Sequence, residues 1–130
     1  MIVLDASAAV DWLLQTPAGR SIESRIYSRN ETLHAPHLLD LEVLQVLRRL
    51  ARQAVVSAPR VEDAVRDFLD LRIARYPHLV FLPRIWQLRD NFSTYDAAYV
   101  VLAERLGATL VTRDSRLASA SGSSAVVEVF

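Results

Sequence analysis

The chain opens Ile2-Val3-Leu4-Asp5-Ala6-Ser7, and near its other end reads Ala108-Thr109-Leu110-Val111-Thr112-Arg113-Asp114. Both stretches carry a short apolar run that gives way to an acid. Such a run suits a strand buried on both faces, as in a parallel sheet. Ser7 is placed to cap a helix over residues 8–14. Working outward, Pro17 opens a second helix that runs to about Arg29. Thr32-Leu33-His34-Ala35 reads as a short strand. Pro36 leads into a strongly apolar helix (Leu38 to Leu50), with Arg48, Arg49 and Arg52 complementing the dipole near its end. Ser57-Ala58-Pro59 opens another helix, with Glu62 and Asp63 in its first turn, and Tyr76-Pro77 stops it. Leu79-Val80-Phe81-Leu82 reads as a buried strand and Pro83 to Asn91 as a short helix. Ser93 or Thr94 caps a helix from Tyr95 to Leu106, ended by Gly107. A helical turn, a Ser/Gly loop over 119–124 and a strand from Val126 to Val129 close the chain. Strands alternating with helices predict an α/β fold with a mostly parallel sheet.

At 130 residues the length predicts a single domain, 1–130. Hydrophobic residues are 52% and charged residues 23%, which suits a packed core and excludes a disordered chain. The absence of cysteine excludes a disulfide framework, a thiolate metal site and cysteine nucleophile chemistry. No apolar run reaches the roughly 18 residues of a membrane span. The acid at position 5 and the lack of a basic start argue against a signal peptide, so the expected location is the cytoplasm. Fifteen basic residues balance fifteen acids, which argues against a globally basic nucleic-acid binder and leaves a local patch open. Every basic residue is arginine, a composition that the codon bias of a GC-rich genome explains more readily than function.

The acids carry the chemistry. In an open parallel sheet, sites form at the carboxyl ends of strands. Asp5 ends the first strand and Asp114 follows the Leu110-Val111 strand, so both point toward one crevice. Asp96 lies in the first turn of an apolar helix, and Glu42 sits among Leu39, Leu41, Val43 and Leu44. Acids in apolar surroundings are costly unless paired or bound to a cation. Oxygen-only ligands select Mg²⁺ or Mn²⁺, which can activate water against a phosphodiester. Structural readings stand beside this one. Asp5 is also a helix cap, Asp96 a first-turn acid and Asp114 a turn residue.

Val3-Leu4-Asp5-Ala6-Ser7-Ala8, Tyr95-Asp96-Ala97-Ala98-Tyr99 through Glu104, and Leu110 to Leu117 resemble the first, third and last motifs of PIN-domain ribonucleases. Pro36 followed by Glu42 resembles the second. The match covers nearly the whole chain in order, and the subgroup it resembles is the VapC toxins of bacterial toxin–antitoxin pairs. The resemblance implies a three-layer α/β/α fold with a central parallel sheet of about five strands. It implies that Asp5, Glu42, Asp96 and Asp114 are the metal-binding catalytic acids, supported by Ser7 and Thr112. It further implies Mg²⁺- or Mn²⁺-dependent RNA cleavage leaving a 5′-phosphate and a 3′-hydroxyl. The implied partners are a VapB-like antitoxin and a second copy of the chain, as a homodimer or a hetero-oligomer with antitoxin. Gln45 stands where the family commonly has asparagine, and Asn91 reads equally as a helix stop or a site residue.

Arg48, Arg113 and Arg116 are candidates for RNA phosphates, with solvated charge as the alternative. His34 and His37 lack a third zinc ligand. Asp40, Asp11 and Asp90 read as surface acids, and Asp63 pairs with Arg66. Trp12, Leu13 and Leu14 read either as core or as an apolar surface for an antitoxin helix or dimer partner. The competing function is a non-catalytic RNA- or protein-binding module on the same fold. A phosphoryl-transfer protein with an aspartyl nucleophile would need a lysine in its usual form, and there is none.

Overall fold

A three-residue strand, Ile2–Leu4 (β1), has no exposed surface at any position and forms the centre of the sheet. The computed structural model describes residues 1–130. After β1 come α1 (Ala6–Leu13), α2 (Pro17–Ser28), β2 (Leu33–Pro36), α3 (Leu38–Arg52), α4 (Ala58–Asp70) and β3 (Ile73–Tyr76). A 3-10 turn over Leu79–Phe81 precedes α5 (Leu82–Gln87), α6 (Thr94–Leu106), β4 (Thr109–Thr112), α7 (Ser115–Ser119) and β5 (Val126–Val129). All five strands are parallel, in the order β3-β2-β1-β4-β5. Ile2 stands beside Leu33 on one side and Thr109 on the other. The chain therefore winds one way from β1 to β3, then crosses back to β4 and β5. Right-handed crossovers put α1–α4 on one face of the sheet and α5–α7 on the other. No helix is long and apolar enough to cross a membrane.

The element that crosses back is α6. Residues 97–103 are all buried, and the helix packs on β1, β2 and β4. Alanine at 97, 98 and 103 lets its backbone approach the sheet. Ser93 caps it by accepting from the Asp96 N–H, and Gly107 ends it in a left-handed conformation at φ 60°. Both ends of α6 thus sit where the sequence puts them.

Several expectations are corrected. Helix α1 starts at Ala6, so its N-cap is Asp5 and Ser7 lies inside the first turn. Helix α4 starts at Ala58 and has no acid in its first turn; Glu62 and Asp63 fall later. The largest difference concerns residues 71–82. Helix α4 ends at Asp70, and the strand is Ile73–Tyr76, which the sequence reading gave to the helix. It is an edge strand, where one face is free to carry Arg75 and the apolar alternation is lost. The apolar run from Leu79 to Leu82 is no strand; Leu79 and Val80 are 72% and 69% exposed. Trp12 and Leu13 are core residues rather than a surface, each 6% exposed. Helix α3 is less buried than its composition suggests, because only Leu39, Val43 and Leu47 are fully buried, Leu38, Val46 and Leu50 are partly so, and Leu41 and Leu44 are exposed.

Candidate active site

Strand order reverses between β1 and β4, and a crevice opens there beyond their carboxyl ends. Asp5 follows β1 and Asp114 follows β4 by two residues. Asp96 comes from the first turn of α6 and Glu42 from the second turn of α3. All four line one cleft of about 400 Å³, together with Ala6, Ser7, Leu41, Gln45 and Val46. A larger cleft, about 870 Å³, lies at the opposite ends of β2 and β3 and holds none of the four acids.

Asp5 is the most buried of them at 9% exposure. It is the N-cap of α1 by backbone conformation, yet its side chain makes no capping bond. Its carboxylate is committed to the cleft. Ser7 Oγ donates to Oδ2 at 2.8 Å and Thr112 Oγ1 donates to the same oxygen at 2.6 Å. Each hydroxyl is itself fixed by a backbone donor: Arg113 N–H to Ser7, and Asp114 N–H to Thr112, both at 3.0 Å. Five residues from two chain segments thereby lock β1 to β4 at the site. No arginine pairs with Asp5.

Glu42 is half-buried and accepts from the Tyr99 hydroxyl at 2.6 Å. Burial, followed by the repulsion of Asp5 and Asp96, pushes the Glu42 carboxyl above its ordinary pKa, with the Tyr99 bond opposing. Asp96 is raised in the same way, by burial first and then by Asp5 and Asp114, with the Ser93 hydroxyl and Arg116 opposing. Tyr99 is 1% exposed, and burial with the Glu42 charge drives its own pKa up, so it stays a proton donor. The sequence reading missed Tyr99; its position one turn after Asp96 on α6 was the available signal. Asp114 differs from the others. The Arg116 guanidinium beside it holds its carboxyl below the usual range.

The remaining candidates divide. Gln45 lines the cleft. Asn91 does not; its side chain amide lies against Gly122. Arg113 is bound to Asp11 at 2.6 Å and to the Phe130 carbonyl, so its guanidinium is engaged. Arg116 sits on Asp114, and Arg48 is exposed on α3 outside the lining. His34 is buried between Thr32 and Tyr76, each hydrogen-bonded to its ring at 2.9 Å, and burial lowers its pKa. His37 precedes α3 on the surface. Asp40 pairs with Arg75 at 2.8 Å.

Four carboxylates with hydroxyl support form a set of hard oxygen donors, with neither sulfur nor imidazole in the lining. Two of the four, Glu42 and Asp96, carry the cost of burial beside other acids. Both features fit a divalent Mg²⁺ or Mn²⁺ ion. As the side chains stand, no three of them converge at ligating distance. Glu42 is turned to Tyr99 and Asp114 to Arg116.

The PIN domain model matches residues 2–122. Ribonuclease VapC12 of Mycobacterium tuberculosis is 43% identical over 129 residues, covering 99% of this chain and 98% of that one. VapC ribonuclease Mb0985 of Mycobacterium bovis is 44% identical over 117 residues, covering 90% and 88%. The crystal structure of PAE2754 from Pyrobaculum aerophilum superposes with a TM-score of 0.72 at 25% identity, covering 98% of this chain and 83% of that one.

Proposed function

The chain belongs to the PIN-domain family, beside ribonucleases of the VapC type, and from that premise we propose that it is a divalent-cation-dependent endoribonuclease toxin. The observation that carries this reading is Asp5: a buried carboxylate, held by two hydroxyls and relieved by no arginine, facing two acids whose pKa values it raises. A pure binding module gains nothing from such repulsion. Asp5, Glu42, Asp96 and Asp114 would hold the ion. When bound, Mg²⁺ or Mn²⁺ would activate water and offset the charge that develops on a phosphodiester, giving a 5′-phosphate and a 3′-hydroxyl.

The chain's own residues do the positioning. Ser7 and Thr112 fix one Asp5 oxygen and leave the other free of protein donors. Tyr99 sets the orientation of Glu42. Arg116, beside the cleft, supplies a guanidinium group for RNA phosphates, whereas Arg48 is exposed away from the cleft and Arg113 is held by Asp11 and the Phe130 carbonyl. We assign the chain one PIN domain over 1–130, action in the cytoplasm and control by a VapB-like antitoxin. We also assign a homodimeric or antitoxin-bound state, which the exposed Leu79, Val80, Leu82 and Trp86 support.

The test is cleavage of total cellular RNA by the isolated protein with Mg²⁺, with Mn²⁺ and with chelator, run beside Asp96→Asn. Discrete cation-dependent fragments, reduced at least about 100-fold in the variant, are expected. Equal cleavage by a folded Asp96→Asn protein would sink the assignment.

A further inference from the structure

Arg116 is the second residue of α7, two beyond Asp114. Its Nε lies 3.0 and 3.1 Å from the two Asp114 oxygens, and its Nη2 lies 2.5 Å from Oδ2. The Arg116 side chain is 84% exposed and the Asp114 side chain 26% exposed. The guanidinium therefore covers the solvent side of one cleft carboxylate while remaining largely in water. The other three acids carry no such cation. Asp5 is held by hydroxyls, Glu42 by a phenol, and Asp96 follows a serine cap. Because Arg116 donates to both oxygens of Asp114, a shared ion at that carboxylate meets the guanidinium's charge and competes with it for the same two oxygens.

We propose that Arg116 is the resident cation of the cleft, a built-in competitor that occupies Asp114 until a divalent ion displaces it. This rests on the reading of the cleft as a cation site. The planar fork suits the task, because it satisfies both carboxylate oxygens at once and cannot lose its charge by deprotonation. Its exposure makes the exchange reversible, since an ion pair in water is weak. Displacement leaves a free guanidinium at the cleft mouth, where the phosphate of an arriving RNA is the next available anion. One side chain thus restrains cation binding in the absence of RNA and favours the ternary state in its presence.

The test needs no turnover. Free Mn²⁺ is followed by electron paramagnetic resonance during titration of the wild type, Arg116→Ala, Arg116→Lys, Arg113→Gln and Asp114→Asn. Arg116→Ala is expected to tighten the apparent Kd about two- to fivefold, the scale of an exposed ion pair. Arg116→Lys keeps the charge without the fork and should fall between. Arg113→Gln removes the neighbouring charge, already held by Asp11 and Phe130, and should change the Kd less. Unchanged or weaker binding by Arg116→Ala, with wild type binding and Asp114→Asn impaired, overturns the competitor role and leaves the cation site standing. Equal tightening by Arg113→Gln overturns it as well, because the effect is then that of the general field. If no variant binds Mn²⁺, the cation site falls and the competitor with it.

Discussion

Asp96 shows how a functional demand opposes the fold at a single residue. Its carboxyl is raised above its unfolded pKa by burial and by its acidic neighbours. A raised acid is more stable protonated, so ionising it costs stability as pH rises from the unfolded value through the folded one. Glu42 acts in the same direction. Asp96→Asn removes the charge and keeps the shape. It should melt higher than the wild type at pH 7 without divalent ions, by about 2–5 °C for relief on the order of 1 kcal/mol. Differential scanning fluorimetry at pH 7 checks this, and a lower melting point would show that the acid is stabilising. The four acids were legible in the sequence because each lay at a strand end or in an apolar helix. Tyr99 was not, since a tyrosine among Ala98, Val100 and Val101 reads as core until Glu42 is brought to it from another helix. The pairing of Asp114 with Arg116 was equally hidden: spacing two apart does not say which way either side chain turns.

At the scale of elements, the contact between α1 and α2 rests on one glycine. A Cβ on Gly19 would collide with the carbonyl of Asp11. Gly19 is helical and has no other conformational demand, so close approach alone explains it. Gly19→Ala should destabilise by about 2–4 kcal/mol, although alanine is the better helix former by about 1 kcal/mol. Urea unfolding measures the difference, and a gain in stability would mean that α2 can shift at no cost. Thr16 caps α2 where the sequence pointed only to Pro17, and Asp5 stands at the N-cap expected of Ser7, but the starts at Ser57 and Ser93 read well from the sequence, because both side chains accept backbone N–H bonds. The edge strand β3 did not. Its four residues, Ile-Ala-Arg-Tyr, lack a continuous apolar signal, and the stronger signal just beyond it belongs to exposed Leu79 and Val80. Hydrophobicity at those two positions reports an unpaired surface, which a pattern tuned to cores reads as a strand.

For the molecule as a whole, the second half of the fold is closed by Glu104 near the end of α6. It pairs with Arg84 of α5 at 3.0 Å and accepts from Ser123 Oγ at 2.8 Å and from the Ser124 N–H at 3.0 Å. Arg84 also reaches the Gly122 carbonyl. The loop leading to β5 is thus tied to two helices through one carboxylate. Its pKa is lowered from 4.5 to about 2, chiefly by Arg84. A depressed acid contributes stability that is fully present above its unfolded pKa and lost as pH falls toward the folded one. Glu104→Gln should therefore cost about 2 kcal/mol at pH 7, and the gap to the wild type should close between pH 4.5 and about 2. Denaturant titrations across that range test it; a gap independent of pH would place the stabilisation in packing instead. The α/β class and the mostly parallel sheet were readable at this scale because apolar runs alternate with helices; the count of about five strands came with the family resemblance, and the order β3-β2-β1-β4-β5 was not legible, since no local signal says which strands become neighbours.

The hydroxyl of Thr112 bonds a carboxylate 107 residues earlier in the chain, and the first and last acids of the cleft meet only once β1 and β4 pair. During translation this separates the birth of the protein from the onset of its activity. At roughly 5–20 residues per second, Asp5 leaves the ribosome on the order of ten seconds before its partner strand exists. On the proposed function, a nascent chain that has not yet reached Asp114 lacks one of the four acids needed to cut the RNA around it. A product that stops before β4 lacks both Thr112 and Asp114 and cannot complete the cleft.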